Sequence, residues 1–153
     1  MIKTEAIILK SADLGETDRL LTIYSKEFGK IQVAARGTKK LESKLRYHLE
    51  PFSYGHLILV EGKNFRIVKD AVLINQFLSM RKDLGKTKIA YKIVNLVDEL
   101  IVGEEKDEEI WNLLSKTLKK LNVGDVIVKK FQDNLLKLLG YDPKHIKDLR
   151  EIY

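Results

Sequence analysis

Two hydrophobic periods divide this sequence, and the change between them near Ser79 constrains the fold more than any other feature. Before Ser79 the apolar residues fall in short runs with the alternation of half-buried strands: Thr4–Lys10, Thr17–Ser25, Ile31–Ala35, Tyr54–Val60 and Phe65–Ile74. Leu21 and Ile23 form one face of the second run, with Leu20, Thr22 and Tyr24 on the other. Ser11 to Gly15 reads as a turn. Phe28-Gly29-Lys30 supplies a glycine where a tight hairpin needs positive φ, and Gly62-Lys63-Asn64 offers a second hairpin. In the fifth run Phe65, Ile67, Ala71 and Leu73 fall near one face.

After Ser79 the spacing becomes helical. Ile89, Ile93, Leu96, Val97, Leu100 and Ile101 make one stripe, stopped by Gly103. Ile110, Trp111, Leu114, Leu118 and Leu121 make a second, broken at Val123-Gly124-Asp125. Ile127, Phe131, Leu135, Leu138 and Leu139 make a third, ending at Gly140, and Asp142-Pro143 opens a last segment from Lys144 to Ile152. The acids from Glu104 to Glu109 suit the positive end of the second helix dipole. Helices of this length bury their stripes only against each other or against the strands.

Between the third and fourth runs lies KIQVAARGTKKLESKLRYHLEPF, residues 30–52, with six basic residues against one acid before Glu50. Leu45 and Leu49 can share the face of a short helix, closed by Glu50-Pro51 because the residue before proline resists helical geometry. The order is therefore β-β-β-α-β-β. It predicts a five-stranded barrel of the oligonucleotide-binding (OB) type over residues 1–78, then a helical domain over 79–153, rigidly joined. A closed barrel removes the free edges of five short strands; an SH3-like barrel or an open meander is the alternative.

The 153 residues carry a formal net charge of +6, which favours an anionic partner. Cysteine is absent, excluding disulfides, thiolate metal sites and cysteine nucleophiles. His48, His56 and His145 stand apart, so no metal site is expected. No Ser/His/Asp arrangement or phosphate-cradling glycine loop is present, so no catalytic residue and no cofactor are expected, and the chain reads as non-enzymatic. The start does not read as a signal peptide, and no apolar run approaches a bilayer span, so a cytoplasmic protein without membrane contact is the expectation.

The candidate nucleic-acid-binding residues are Arg36, Lys39, Lys40, Lys44 and Arg46, joined by Lys30 and Arg19 if their strands present them on the same side. Spaced cations of this kind pair with phosphates without reading bases. Arg19 has a competing role as an ion-pair partner for Asp18 or Glu16. Tyr47 and Tyr54 are the base-stacking candidates, whereas Tyr24, Phe52 and Phe65 read as core. A generic RNA-binding OB module and a protein-interaction module for an acidic tail are the alternative functions.

Ala6-Ile7-Ile8-Leu9-Lys10, Gly15-Glu16-Thr17-Asp18-Arg19-Leu20-Leu21-Thr22, Phe28-Gly29-Lys30, Ala35-Arg36-Gly37, Leu49-Glu50-Pro51-Phe52 and Leu135 to Pro143 (LLKLLGYDP) stand in this order and spacing. Together they resemble the RecO family, recombination mediators of bacterial DNA repair. The resemblance implies a nucleoid-associated protein that binds single- and double-stranded DNA and anneals complementary strands. It also implies binding of RecR and of the C-terminal tail of single-stranded DNA-binding protein (SSB), and thereby an indirect role in loading RecA. In the family's pattern Arg36 occupies the basic position after strand three. The family's four-cysteine zinc module has no counterpart in this cysteine-free sequence, which reads as a shortened member or a fragment.

Overall fold

The computed structural model describes residues 1–37 and 48–141. Five strands, β1 (Ile2–Leu14), β2 (Asp18–Ser25), β3 (Gly29–Ala35), β4 (Tyr54–Val60) and β5 (Arg66–Asn75), close into a barrel in the order β1-β2-β3-β5-β4. Every pairing is antiparallel except β3 with β5, and β4 returns to β1 to close the ring. Ala6, Ile8, Leu21, Ile23, Ile31, Val33, Leu57, Leu59 and Val68 fill its interior. Each fully buried aliphatic side chain there contributes about 1.5–3 kcal/mol. Leu49 joins this inner core, while the expected short helix lies outside the described residues, as does the segment from Lys144 to Ile152.

The structure corrects two strand readings. Ser11 to Leu14 is not a turn: it continues β1, pairing with residues 18–21 of β2. The register passes from Ile8↔Ile23 to Lys10↔Thr22, so Leu9 is an extra, bulged residue that lets Leu9 and Lys10 both face outward. In β5, Leu59↔Val68 and Ile58↔Asp70 leave Lys69 over, and this second bulge changes the parity of the strand. Val68, not Ile67, therefore shares the interior with Ala71.

The helices are α1 (Leu78–Arg81), α2 (Leu84–Leu100), α3 (Glu108–Val123) and α4 (Val128–Leu138). Asp83 and Asp107 cap α2 and α3, accepting from the backbone N–H of Lys86 and Ile110, each at 3.1 Å. Glu108 and Glu109 sit in the first turn of α3, where the dipole favours acids. Ile127, expected in the third stripe, instead stands before α4 and is 70% exposed. The short α1 follows Phe77, whose N–H donates to Asn75 Oδ1, while Met80 N–H donates to Asn122 Oδ1 at the end of α3.

The helical stripes close over the outside of the barrel. Ile7, Leu9, Tyr24, Phe52 and Tyr54 share one core with Phe77, Met80 and the buried residues of α2, α3 and α4. Polar contacts tie the same seam. Arg81 donates to the carbonyls of Gln76 and Pro51 at 2.6 and 2.7 Å and to Ser53 Oγ at 2.9 Å, with its guanidinium 4.2 Å from the centre of the Phe52 ring. Burial holds the Arg81 pKa below its ordinary value, against the opposing pull of Glu50.

Candidate nucleic-acid interface

The end of the barrel where β3 opens into the basic stretch is built by Asp18. Its Oδ1 accepts the backbone N–H of Gly37 at 2.8 Å, with Thr17 Oγ1 at 3.1 Å from the same oxygen. Gly37 takes φ of 68°, a left-handed turn that costs glycine little. Arg36, immediately before it, is exposed. Arg19 pairs in register with Ala35, whose side chain lies in the barrel interior, so Arg19 points to the inner rim, and its Nη1 donates to Ser11 Oγ at 3.0 Å. The two arginines thus stand at the same end of β2 and β3, Arg19 within its strand and Arg36 just past the end of β3. Lys39, Lys40, Lys44, Arg46 and Tyr47 lie outside the described residues.

Lys30 does not join them. It sits at the opposite end of β3, about 20 Å from Arg36 at 3.3 Å per residue. Its Nζ lies 2.5 Å from the carbonyl oxygen of Asp98, 2.7 Å from that of Ile101 and 3.3 Å from Asp98 Oδ1. These carbonyls end α2, which has no basic residue in its own last turn. The barrel lends the helix a cation at the negative end of its dipole. Only a contact 68 residues away in sequence reveals this role.

Tyr54 is likewise committed. It is 6% exposed, its ring meets Trp111 edge-on at 5.5 Å between centroids, and its hydroxyl donates to Glu5 Oε1 at 2.6 Å. Buried in this way, it offers no face to a base. The hydrogen bond from Tyr54, with Lys26 beyond it at 3.4 Å, holds the Glu5 carboxyl below the usual range, while burial opposes. Burial and the same carboxylate push the Tyr54 phenol above its ordinary value. Tyr24 and Phe52, each 1% exposed, are core residues.

Ion pairs and a hydrogen bond tie the segment beyond α2 to the barrel. Arg66 pairs with Glu104 at 3.1 Å, Lys106 with Glu27 at 3.4 Å, and Tyr24 donates from its hydroxyl to the carbonyl of Asp107. An open cleft of about 230 Å³ beside them is lined by Tyr24, Ile101, Val102 and Leu138 and edged by Glu105 and Asp107. Burial and those two acids raise the Tyr24 pKa. A cleft with that charge repels phosphate. Among the described residues no group of three or more His, Cys, Asp or Glu is placed to hold a metal. No described helix is long and apolar enough to cross a membrane.

A closed five-stranded barrel in this order is an OB fold, a class whose β2–β3 face and adjoining loops bind oligonucleotides and oligosaccharides. The family model described as recombination protein O N terminal matches residues 1–77. Curated relatives agree. A DNA repair protein RecO of Roseiflexus sp. is 38% identical over 145 residues, covering 93% of this chain and 51% of the relative. One from Thermoanaerobacter sp. is 30% identical, covering 94% of this chain and 60% of the relative. One from Heliobacterium modesticaldum is 34% identical, covering 94% and 53%. The chain belongs to the RecO family, and it spans between half and three fifths of the length of these relatives.

Proposed function

We propose that this chain is the DNA-engaging part of a non-enzymatic recombination mediator. It holds single- and double-stranded DNA by the phosphate backbone, largely without sequence preference, and brings complementary strands together. The observation that carries this reading is the exposed Arg36 at the point where the OB barrel opens into the basic stretch Lys39, Lys40, Lys44 and Arg46. Membership of a DNA repair family supports it. Within that role the partners are RecR and the SSB tail, RecA is loaded indirectly, and the protein works in the cytoplasm at the nucleoid.

The arrangement needs only cations spaced along a chain of phosphates. Four to six neutralised phosphates on a single strand give a slope of log K against log salt of about −3 to −4. A fluorescent oligonucleotide titrated over a range of salt concentrations tests it. Arg36→Ala and Lys39→Ala are each expected to make the slope shallower by about 0.7. Failure of the unaltered chain to bind in dilute buffer, or slopes untouched by both substitutions, would overturn the reading.

A further inference from the structure

The exposed face of α2 carries an aromatic residue with lysines before and after it in the sequence. Tyr91 is 44% exposed and rests against Phe52 with 5.0 Å between ring centroids and an interplanar angle of 80°. Phe52 is in turn covered by Arg81. The Tyr91 ring is therefore backed by a buried aromatic while much of its surface stays open to solvent. Lys88 precedes it by three residues and Lys92 follows directly, both exposed. Asn95, one turn further on, is exposed as well.

These lysines do nothing evident for the fold. Neither takes part in an ion pair among the described residues, unlike Lys26, Lys30, Arg66 and Lys106. No acid stands three or four residues from either one in the helix. Lys88 and Lys92 are themselves four apart, a like-charge spacing that destabilises a helix. Lys86 and Lys88 also lie towards the positive end of the α2 dipole, and no acid occupies the first turn. Cations kept where the helix disfavours them suit an anionic ligand, and an open ring between them suits bases that can stack. The ring also lies at the right corner: it touches Phe52, six residues beyond Arg46, the last cation of the basic stretch.

We propose that Lys88, Tyr91 and Lys92 form a second foothold for single-stranded nucleic acid, in which a base stacks on Tyr91 and the flanking lysines hold the adjoining phosphates. It extends the proposed backbone site from the barrel onto α2 and rests on that reading. Paired bases cannot reach the ring, so the foothold favours single strands over duplex.

The test uses the full chain and a fluorescent oligothymidine, with a duplex of equal length beside it. Tyr91→Leu keeps an apolar cover over Phe52 but removes the stacking face. It is expected to weaken single-strand binding about 5- to 150-fold, the range for loss of one base–aromatic stack, and to leave duplex binding unchanged. Tyr91→Phe is expected to bind like the unaltered chain. Replacing Lys88 and Lys92 together by Gln is expected to make the single-strand salt slope shallower by about 1.4. In Tyr91→Trp the new indole should be quenched by the bound strand, against Trp111, which is 3% exposed. Thermal unfolding of each variant separates lost packing from lost stacking.

Oligothymidine binding by the unaltered chain with no effect of Tyr91→Leu overturns the foothold and leaves the barrel site standing. Equal losses for single strand and duplex overturn it too. So does loss of binding to an acidic peptide with oligonucleotide binding intact, which would make the patch a protein contact. Absence of any oligonucleotide binding by the unaltered chain defeats the functional reading itself.

Discussion

Replacing Lys30 by Met removes the ammonium and keeps most of the apolar stem, so it isolates what that charge does. Two carbonyl contacts at the end of α2 and the pairing with Asp98 are lost. Deleting a hydrogen bond from a charged donor costs about 1.5–3 kcal/mol. The Lys30 side chain is 21% exposed, so water recovers part of that loss and the summed effect is about 2–3 kcal/mol. For a chain of this size each kcal/mol moves Tm by about 2–4 °C, giving a fall of about 4–12 °C. Asp98→Asn, which keeps both carbonyls, should cost only about 0.2–1 kcal/mol, the worth of a partly exposed ion pair. Thermal and urea unfolding measure both. Oligonucleotide binding over a salt series is the companion assay, and Lys30→Met should leave its slope unchanged. The reasoning is refuted if Tm stays within about 1 °C while the slope becomes shallower by about 0.7, because Lys30 would then be holding phosphate rather than the helix.

Three further outcomes follow from the same seam. Gly29 has φ of 71°, and a Cβ there would lie 2.1 Å from the carbonyl oxygen of Glu105; Gly29→Ala should destabilise by more than the roughly 1–3 kcal/mol of the backbone conformation alone, measured by urea unfolding. Arg81→Met should cost about 2–4 kcal/mol through lost contacts to Gln76, Pro51, Ser53 and the Phe52 ring, and hydrogen exchange should show faster exchange of the amides around Phe52. The Glu5 carboxyl has its folded pKa depressed, so its contribution is present above the unfolded value near 4.3 and is lost as pH falls through the folded value. Tyr54 has its folded pKa raised, so its contribution is full below the unfolded value near 10 and is lost as pH rises through the higher folded value. Tyr54→Phe should flatten both limbs of the curve of stability against pH, and unchanged limbs would contradict the paired assignment.

The hydrophobic period was sufficient to separate strands from helices. The stripes through Ile93, Leu114 and Leu135 face the core as their spacing requires, and Gly29 turns the hairpin it marks. What escaped the pattern has local physical causes. Ser11-Ala12-Asp13-Leu14 has turn-like composition yet stays extended because β2 continues to pair with it. Leu9 and Lys69 are bulges, and a bulge is invisible to a strict two-residue repeat. Phe52 and Phe77 adopt φ of 53° and 57°, which no propensity assigns to phenylalanine; surrounding core packing over-determines them. Of the candidate site, Arg36 at the barrel rim was readable from its place before Gly37. Lys30 and Tyr54 were not, since their partners, Asp98 and Trp111, come from helices far along the chain. Tyr91 gave no signal beyond its neighbours' charge, because only the fold sets it against Phe52.

The apolar seam that joins barrel to helices has a consequence for how the proposed polymer ligand would be met. Nothing must be gathered or reoriented before both surfaces can be touched, so the entropy of lining them up is already spent when the protein folds. On the proposed reading, a strand that touches both the rim at Arg36 and the corner at Phe52 would meet a separation that the seam already fixes.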